Sequence, residues 1–233
     1  MSLQGERVRL FLSSEHLCGY LPGRAARNLF IDPEYRLDPA RYDFLLQQGF
    51  RRGGDHVYRP RCEGCQACVP VRLPVARFRP DRSQRRCLAR NRDLRVDRSA
   101  QLDERHFALY QRYLRSRHAD GGMNPDDAGG FRHFLDCAWG VAEFWDFLDP
   151  AGELLACAVV DRTPRALSAV YTFFEPEQPS RGLGTYAVLR QIEQARREGL
   201  EYLYLGYWVG ASRKMAYKQR FQPLERLGPL GWV

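Results

Sequence analysis

Three cysteines, Cys62, Cys65 and Cys68, fall at C-x-x-C-x-x-C spacing and run directly into the densest arginine block of the chain. Between Arg72 and Arg98 lie ten arginines and no lysine, against only Asp81, Asp93 and Asp97. Clustered thiols can ligate zinc or an iron–sulfur cluster, with Cys18 as a fourth ligand. Tetrahedral zinc usually draws on two separated knuckles, and only one extended knuckle is present. A compact thiol-rich turn is therefore the competing reading. Cys87, Cys137 and Cys157 sit in helix- or strand-like contexts and read as small apolar filler. A guanidinium grips two anionic oxygens at once, so the arginine stripe points to phosphate. In the glycine-rich loop after Arg117, His118 and Asp120 could act as a base and the group that orients it.

The balance of charge agrees. The chain of 233 residues carries a net charge of +8. Residues 1–100 hold 20 arginines against 11 carboxylates, whereas residues 101–233 hold 16 basic against 17 acidic groups. Such a first half suits a polyanion, through contacts indifferent to sequence. No apolar run of 18 residues exists, which excludes a membrane-spanning helix, and the first residues lack a signal-peptide core. A cytoplasmic location follows as an expectation, where seven cysteines are thiols or ligands rather than disulfides. Nothing in the sequence sets an oligomeric state.

The elements that must position these groups read as follows. Val8 to Leu12 alternates as a short strand, and Asp38-Pro39 opens a helix with Tyr42, Leu45 and Leu46 on one face, closed at Gly49. Val69 to Leu73 is strand-like, and Ser83 to Leu94 a basic helix or arm. Near residue 97 the composition changes, which divides the chain into a basic, cysteine-containing domain (1–97) and a second domain (98–233). Asp103 to Arg117 is amphipathic, with Phe107, Tyr110 and Leu114 at helical spacing, and 118–130 is a loop. Strands Phe144 to Leu148, Leu154 to Val160 and Leu167 to Phe174 follow. Then come the turn at Gly182 and Gly184, a helix through Glu198, the stop at Gly199 and strand Tyr202 to Leu205. The class is α+β. The second domain resembles the acyltransferase fold of the N-acetyltransferase superfamily, where the fourth and fifth strands splay apart and acyl transfer occurs in the gap.

Eight further segments resemble one family. They are Cys18-Gly19-Tyr20-Leu21-Pro22-Gly23-Arg24, Gly49-Phe50-Arg51-Arg52-Gly53, the cysteine block, Ser83-Gln84-Arg85-Arg86, Arg117-His118-Ala119-Asp120-Gly121, Ser168-Ala169-Val170-Tyr171-Thr172-Phe173, Tyr204-Leu205-Gly206-Tyr207-Trp208 and Lys214-Met215-Ala216-Tyr217-Lys218. Together they are similar to the aminoacyl-tRNA–protein transferases, above all the bacterial aspartate/glutamate leucyltransferase branch. The resemblance implies transfer of leucine from leucyl-tRNA to proteins beginning with Asp or Glu, which marks them for N-degron degradation. No cofactor is required for that reaction. Leu21 stands where eukaryotic relatives carry a second cysteine, which counts against carrying their zinc or iron–sulfur site over. An acidic acceptor needs a cation: Arg72 is the first candidate, then Arg79 and Arg24. Arg85, Arg86, Arg181, Gly182, Gly184, Lys214 and Lys218 are candidates for tRNA. Tyr171 and Tyr207, on the two strands that would splay, could donate to the oxyanion or relay a proton. The alternatives are an arginyl donor, a non-catalytic tRNA-binding protein and a coenzyme-A acetyltransferase.

Overall fold

The computed structural model describes residues 2–3, 6–99, 101–117 and 123–233. Four short strands make an N-terminal sheet: β1 (Leu10–Leu12), β2 (Asn28–Ile31), β3 (Arg51–Gly53) and β4 (His56–Pro60), in the order β1-β2-β4-β3. Apart from two short strand pairs near the N-terminus, the remaining strands build one eight-stranded sheet from β5 (Val69–Pro74), β6 (Arg95–Ser99), β7 (Ala142–Leu148), β8 (Leu154–Arg162), β9 (Ala166–Phe174), β10 (Tyr202–Trp208), β11 (Glu225–Gly228) and β12 (Gly231–Trp232). Its order is β6-β7-β8-β9-β10-β5-β11-β12. Five helices accompany the sheets: α1 (Pro39–Gln47), α2 (Arg82–Arg90), α3 (Glu104–Arg117), α4 (Ala128–Leu135) and α5 (Leu183–Arg197).

The sequence dictates these elements locally. Asp38 caps α1 by accepting from the Arg41 amide at 2.8 Å, with Pro39 opening the first turn. Asp81 and Gln84 close a reciprocal capping box on α2. That helix is shorter than the expected basic arm, because Asn91 turns back to the Cys87 carbonyl at 2.9 Å and ends it. Likewise α4 begins inside the stretch expected as loop, capped by Asp127 accepting from the Gly130 amide. The run Leu154 to Val160 is buried throughout. Side chains alternate across a strand, so Ala156, Ala158 and Val160 face α5 while Cys157 and Val159 face α3. A continuous apolar strand results because both faces are covered.

The change of composition near residue 97 is not a seam in this sheet. Arg95–Ser99 pairs along its whole length with β7, and β5 lies between β10 and β11. Both strands come from the arginine-rich half. Side-chain charge reports only the exposed face of such a strand, whereas its pairing is set by backbone and by the residues beneath. A further tie joins the two sheets: Arg52 on β3 donates to Asp161 on β8 at 2.7 Å, and both side chains are fully buried. Tyr42 donates to the second Asp161 oxygen at 3.0 Å.

Candidate active site

One pair of neighbours in the large sheet is parallel. Strands β9 and β10 run together only through Ala166–Tyr202, Leu167–Leu203 and Ser168–Tyr204, and then separate. Two irregularities drive them apart. An extra residue, Val170, bulges β9 against β8, and the register of β10 against β5 shifts between Tyr204 and Tyr207. Gly206 lies in that shift at φ +71°, a left-handed backbone that suits glycine. The cleft between the strands is lined by Ser168, Ala169, Val170, Tyr204, Gly206 and Tyr207, and is floored by α1 and β3.

Two basic groups converge here. The Arg51 guanidinium donates to the Val170 carbonyl at 3.2 Å and lies 5.9 Å from the centre of the Tyr207 ring. Four tyrosines, Tyr20, Tyr42, Tyr58 and Tyr207, stand close enough to act on its charge. Lys218, on the 310 turn Arg213–Arg220, is 4% exposed and donates to the Tyr207 carbonyl. Burial, followed by the Arg51 charge, lowers the Lys218 amine to about 7, against a weaker opposing pull from Cys68. A Cβ on Gly206 would come within 3.1 Å of Arg51 Nη1 and 3.9 Å of Lys218 Nζ, so both cations border the same glycine. Among the described residues, no carboxylate pairs with either. Arg52, one residue along the strand, differs because Asp161 neutralises it.

The expected residues distribute unevenly around this cleft. Arg72 is not in it. Its guanidinium donates to Glu225 at 2.9 Å and lies 3.6 Å from the Tyr202 ring centre and 4.3 Å from that of Trp232. It thereby clamps the C-terminal strands rather than facing a substrate carboxylate. Arg79 is exposed and donates to the Ala76 and Phe78 carbonyls of its own turn, and Arg24 is exposed. Tyr207 borders the cleft, but its hydroxyl donates to the Gly49 carbonyl at 2.9 Å. That bond leaves it without a proton for an oxyanion. It needs the close approach of Gly49, where a Cβ would meet Pro70 at 2.8 Å. Tyr171 points the other way, into an aromatic cluster with Tyr110, Tyr113 and Phe134, and its buried hydroxyl has no partner among the described residues. His118 and Asp120 lie outside the described residues.

Among the tRNA candidates, Arg85 and Arg86 are exposed on α2, and Lys214 is exposed. Lys218 is buried beside the cleft, away from any phosphate backbone, because the turn that carries it folds inward onto β10. Arg181 is held by a two-pronged pair with Asp93, at 3.0 and 2.8 Å. Gly182 caps α5 at φ +65°, and Gly184 backs onto the Phe174 ring.

The four N-terminal cysteines are free and half-buried at one corner. Burial, then Cys18, Cys62 and Cys65, raises the Cys68 thiol to about 11, and Cys68 also acts on Tyr20, Tyr207 and Lys218. The corner therefore abuts the cleft. Cys18 Sγ accepts from the Leu21 amide and Cys62 donates to the Arg27 carbonyl. The close-set donor trio among the described residues is instead His106, Asp146 and Cys157. The four thiols stand close enough together that Cys18, Cys62 and Cys65 each act on Cys68. Sequence reasoning missed Arg51, Tyr20, Tyr58 and the true position of Lys218. One signal was present: the chain uses lysine twice against 34 arginines, and an amine, unlike a guanidinium, can titrate near neutrality.

The family described as arginine-tRNA-protein transferase matches in two parts, its N terminus over residues 16–86 and its C terminus over 105–228. An aspartate/glutamate leucyltransferase of Stenotrophomonas maltophilia (strain K279a) is 52% identical over 241 residues, covering 100% of this chain and 96% of that protein. One of Pseudomonas fluorescens (strain Pf0-1) is 48% identical and covers 97% of each. Among solved structures, FemX aligns with a TM-score of 0.47 at 12% identity, over 86% of this chain and 79% of that one. Both halves of the family description match in order, and full-length relatives are about half identical, so the chain belongs to the arginine-tRNA-protein transferase family.

Proposed function

We propose that this protein transfers leucine from leucyl-tRNA to the N-terminal amine of proteins that begin with Asp or Glu, marking them for degradation. The observation that carries the reading is the separation of β9 and β10 past Ser168 and Tyr204, where Arg51 lines the cleft and Lys218 borders it at Gly206. The relatives' names supply the donor and acceptor classes. In the reaction the amine nitrogen attacks the ester carbonyl carbon. A C–N bond forms, the bond to the ribose oxygen breaks, and the nitrogen's proton leaves with the departing hydroxyl or through a base.

The ester is already activated, so no nucleophilic side chain is needed, and no metal or redox group takes part in the balance. An α-amino group titrates near ~8, so much of it is free base at neutral pH. Lys218, with its amine at about 7, is a proton acceptor on hand. Most of the acceleration comes from positioning and from stabilising the oxyanion. Past Ser168 and Tyr204 the facing edges of β9 and β10 no longer bond each other, and the guanidinium of Arg51 stands at that opening as a donor for the task. The tRNA lies along the exposed Arg82, Arg85, Arg86 and Arg90 of α2, which packs on α5. The protein acts in the cytoplasm, where its substrates are made; no helix among the described residues is long and apolar enough to cross a membrane.

The test is to incubate the protein with separately charged tRNAs and an Asp-starting peptide, and to weigh the peptide. A gain of one leucine residue from leucyl-tRNA alone is the expected result. A gain of arginine assigns the other donor, a gain of acetyl with acetyl-coenzyme A assigns acetyl transfer, and an unchanged peptide means a non-catalytic binder.

A further inference from the structure

We propose that Arg51, backed by Lys218, receives the side-chain carboxylate of the acceptor's first residue and sets the preference for acidic N-termini. The proposal rests on the acyl-transfer reading of the cleft. In an N-terminal Asp or Glu only a few bonds separate the attacking amine from the carboxylate. The group that reads the carboxylate must therefore sit in the cleft where the ester arrives. Arg72, Arg79 and Arg24 do not: the first is clamped on Glu225, and the others are exposed.

Arg51 meets the requirement. Its guanidinium reaches the Val170 carbonyl at the bulge where β9 leaves β10, and so lies at the mouth of the splay. Its surroundings are aromatic rather than acidic, from Tyr20, Tyr58 and Tyr207. The Lys218 amine lies across Gly206 as a further N–H donor, and no carboxylate among the described residues forms an ion pair with Arg51. A buried guanidinium without an ion-pair partner is costly unless an anion completes it. The contrast with Arg52 is instructive: Asp161 forms its ion pair with that neighbour, whereas Arg51 has only the Val170 carbonyl as a hydrogen-bond acceptor and feels Asp161 from farther off. A guanidinium can grip a carboxylate through two N–H groups. An Asn or Gln amide turns an NH2 toward one of those donors and loses that bond. The amine of Lys218 behind Arg51 offers a second donor, so that either an Asp or a Glu carboxylate finds a partner.

The experiment measures kcat/KM for leucine transfer to Asp-, Glu-, Asn- and Gln-starting peptides by the wild-type chain, Arg51→Gln and Arg51→Lys. Melting curves and tRNA filter binding are run on each. Arg51→Gln is expected to lose roughly 30- to several thousand-fold on the acidic peptides with little change on the amides, so that selectivity collapses. Arg51→Lys keeps the charge but not the fork, and is expected to keep the order of preference with a narrower margin; it serves should the Gln variant fail to fold. Folded variants that bind tRNA and retain both wild-type rate and the full Asp-over-Asn margin would overturn the assignment while leaving the transfer reading in place. Failure of the wild-type chain to transfer leucine at all would remove that reading and this assignment with it.

Discussion

A lysine amine at about 7 is a destabilising feature that the rest of the molecule tolerates. In the unfolded chain Lys218 holds its proton up to ~10.4, whereas in the fold it releases it near 7. Between those values unfolding takes up a proton, so stability rises with pH across that window. Below about 7 both states are protonated, and the full penalty, on the order of 4 kcal/mol, is present. Lys218→Met should therefore be more stable than wild type at pH 6.5 and should lose most of the rise toward pH 9.5. Urea titrations at several pH values read this directly, and identical slopes in the two proteins would clear Lys218 as the source. The opposite case is the Arg52–Asp161 pair, where both charges are buried and matched. Asp161→Ala leaves Arg52 charged without its ion-pair partner, with only the Asp136 carbonyl to accept from it. The expected cost is about 3–5 kcal/mol, a fall in Tm on the order of 10 °C by calorimetry. Motif spelling marked Arg51 and Arg52 equally. Only the alternation of side chains along β3, and the arrival of Asp161 from a strand more than a hundred residues away, separates the ion-paired Arg52 from an Arg51 that has only a carbonyl to donate to.

At the scale of elements the cleft depends on strands that start paired and then part. Gly206 makes this work twice, by its left-handed backbone and by leaving room for the Arg51 and Lys218 heads. Gly206→Ala should cost about 1–2 kcal/mol in the fold through the strained φ. Its Cβ would also press on Arg51 Nη1 at 3.1 Å. Displacing that guanidinium should lower kcat/KM on Asp-starting peptides by up to roughly 100-fold, far more than the stability loss accounts for. A variant that is destabilised but turns over normally would show that the glycine serves only the backbone. Much of this level was legible beforehand. Turns at Asp149 to Gly152 and at Thr163-Pro164 bound β8, and the Asp38 cap and Gly49 stop bound α1, because these are local signals. Strand ends were less so: β10 runs to Trp208, past the Leu205 expected, since its later residues are held by β5 rather than by their own pattern.

Across the whole molecule, charge and topology are arranged independently. The arginine-rich half was legible from composition, yet two of its strands complete the sheet of the other half, because register and burial, not net charge, choose strand partners. The basic residues that remain exposed have their own job. Arg85 and Arg86 stand out from α2, with the Cys87 face turned inward against α5. Neutralising a phosphate releases condensed counterions, so each such contact contributes close to one unit to the fall of log K with log salt. Replacing both arginines by glutamate should weaken leucyl-tRNA binding and flatten that slope by roughly two units. The α2 cap, Asp81 with Gln84, is untouched by these changes, and melting should stay near wild type. Filter binding between low and physiological salt measures both quantities. The double variant should keep its Asp-over-Asn selectivity once tRNA is saturating, because the groups that read the acceptor lie in the cleft and not on this helix. An unchanged slope would place the tRNA on another face, leaving the arginines of α2 as a solvated surface.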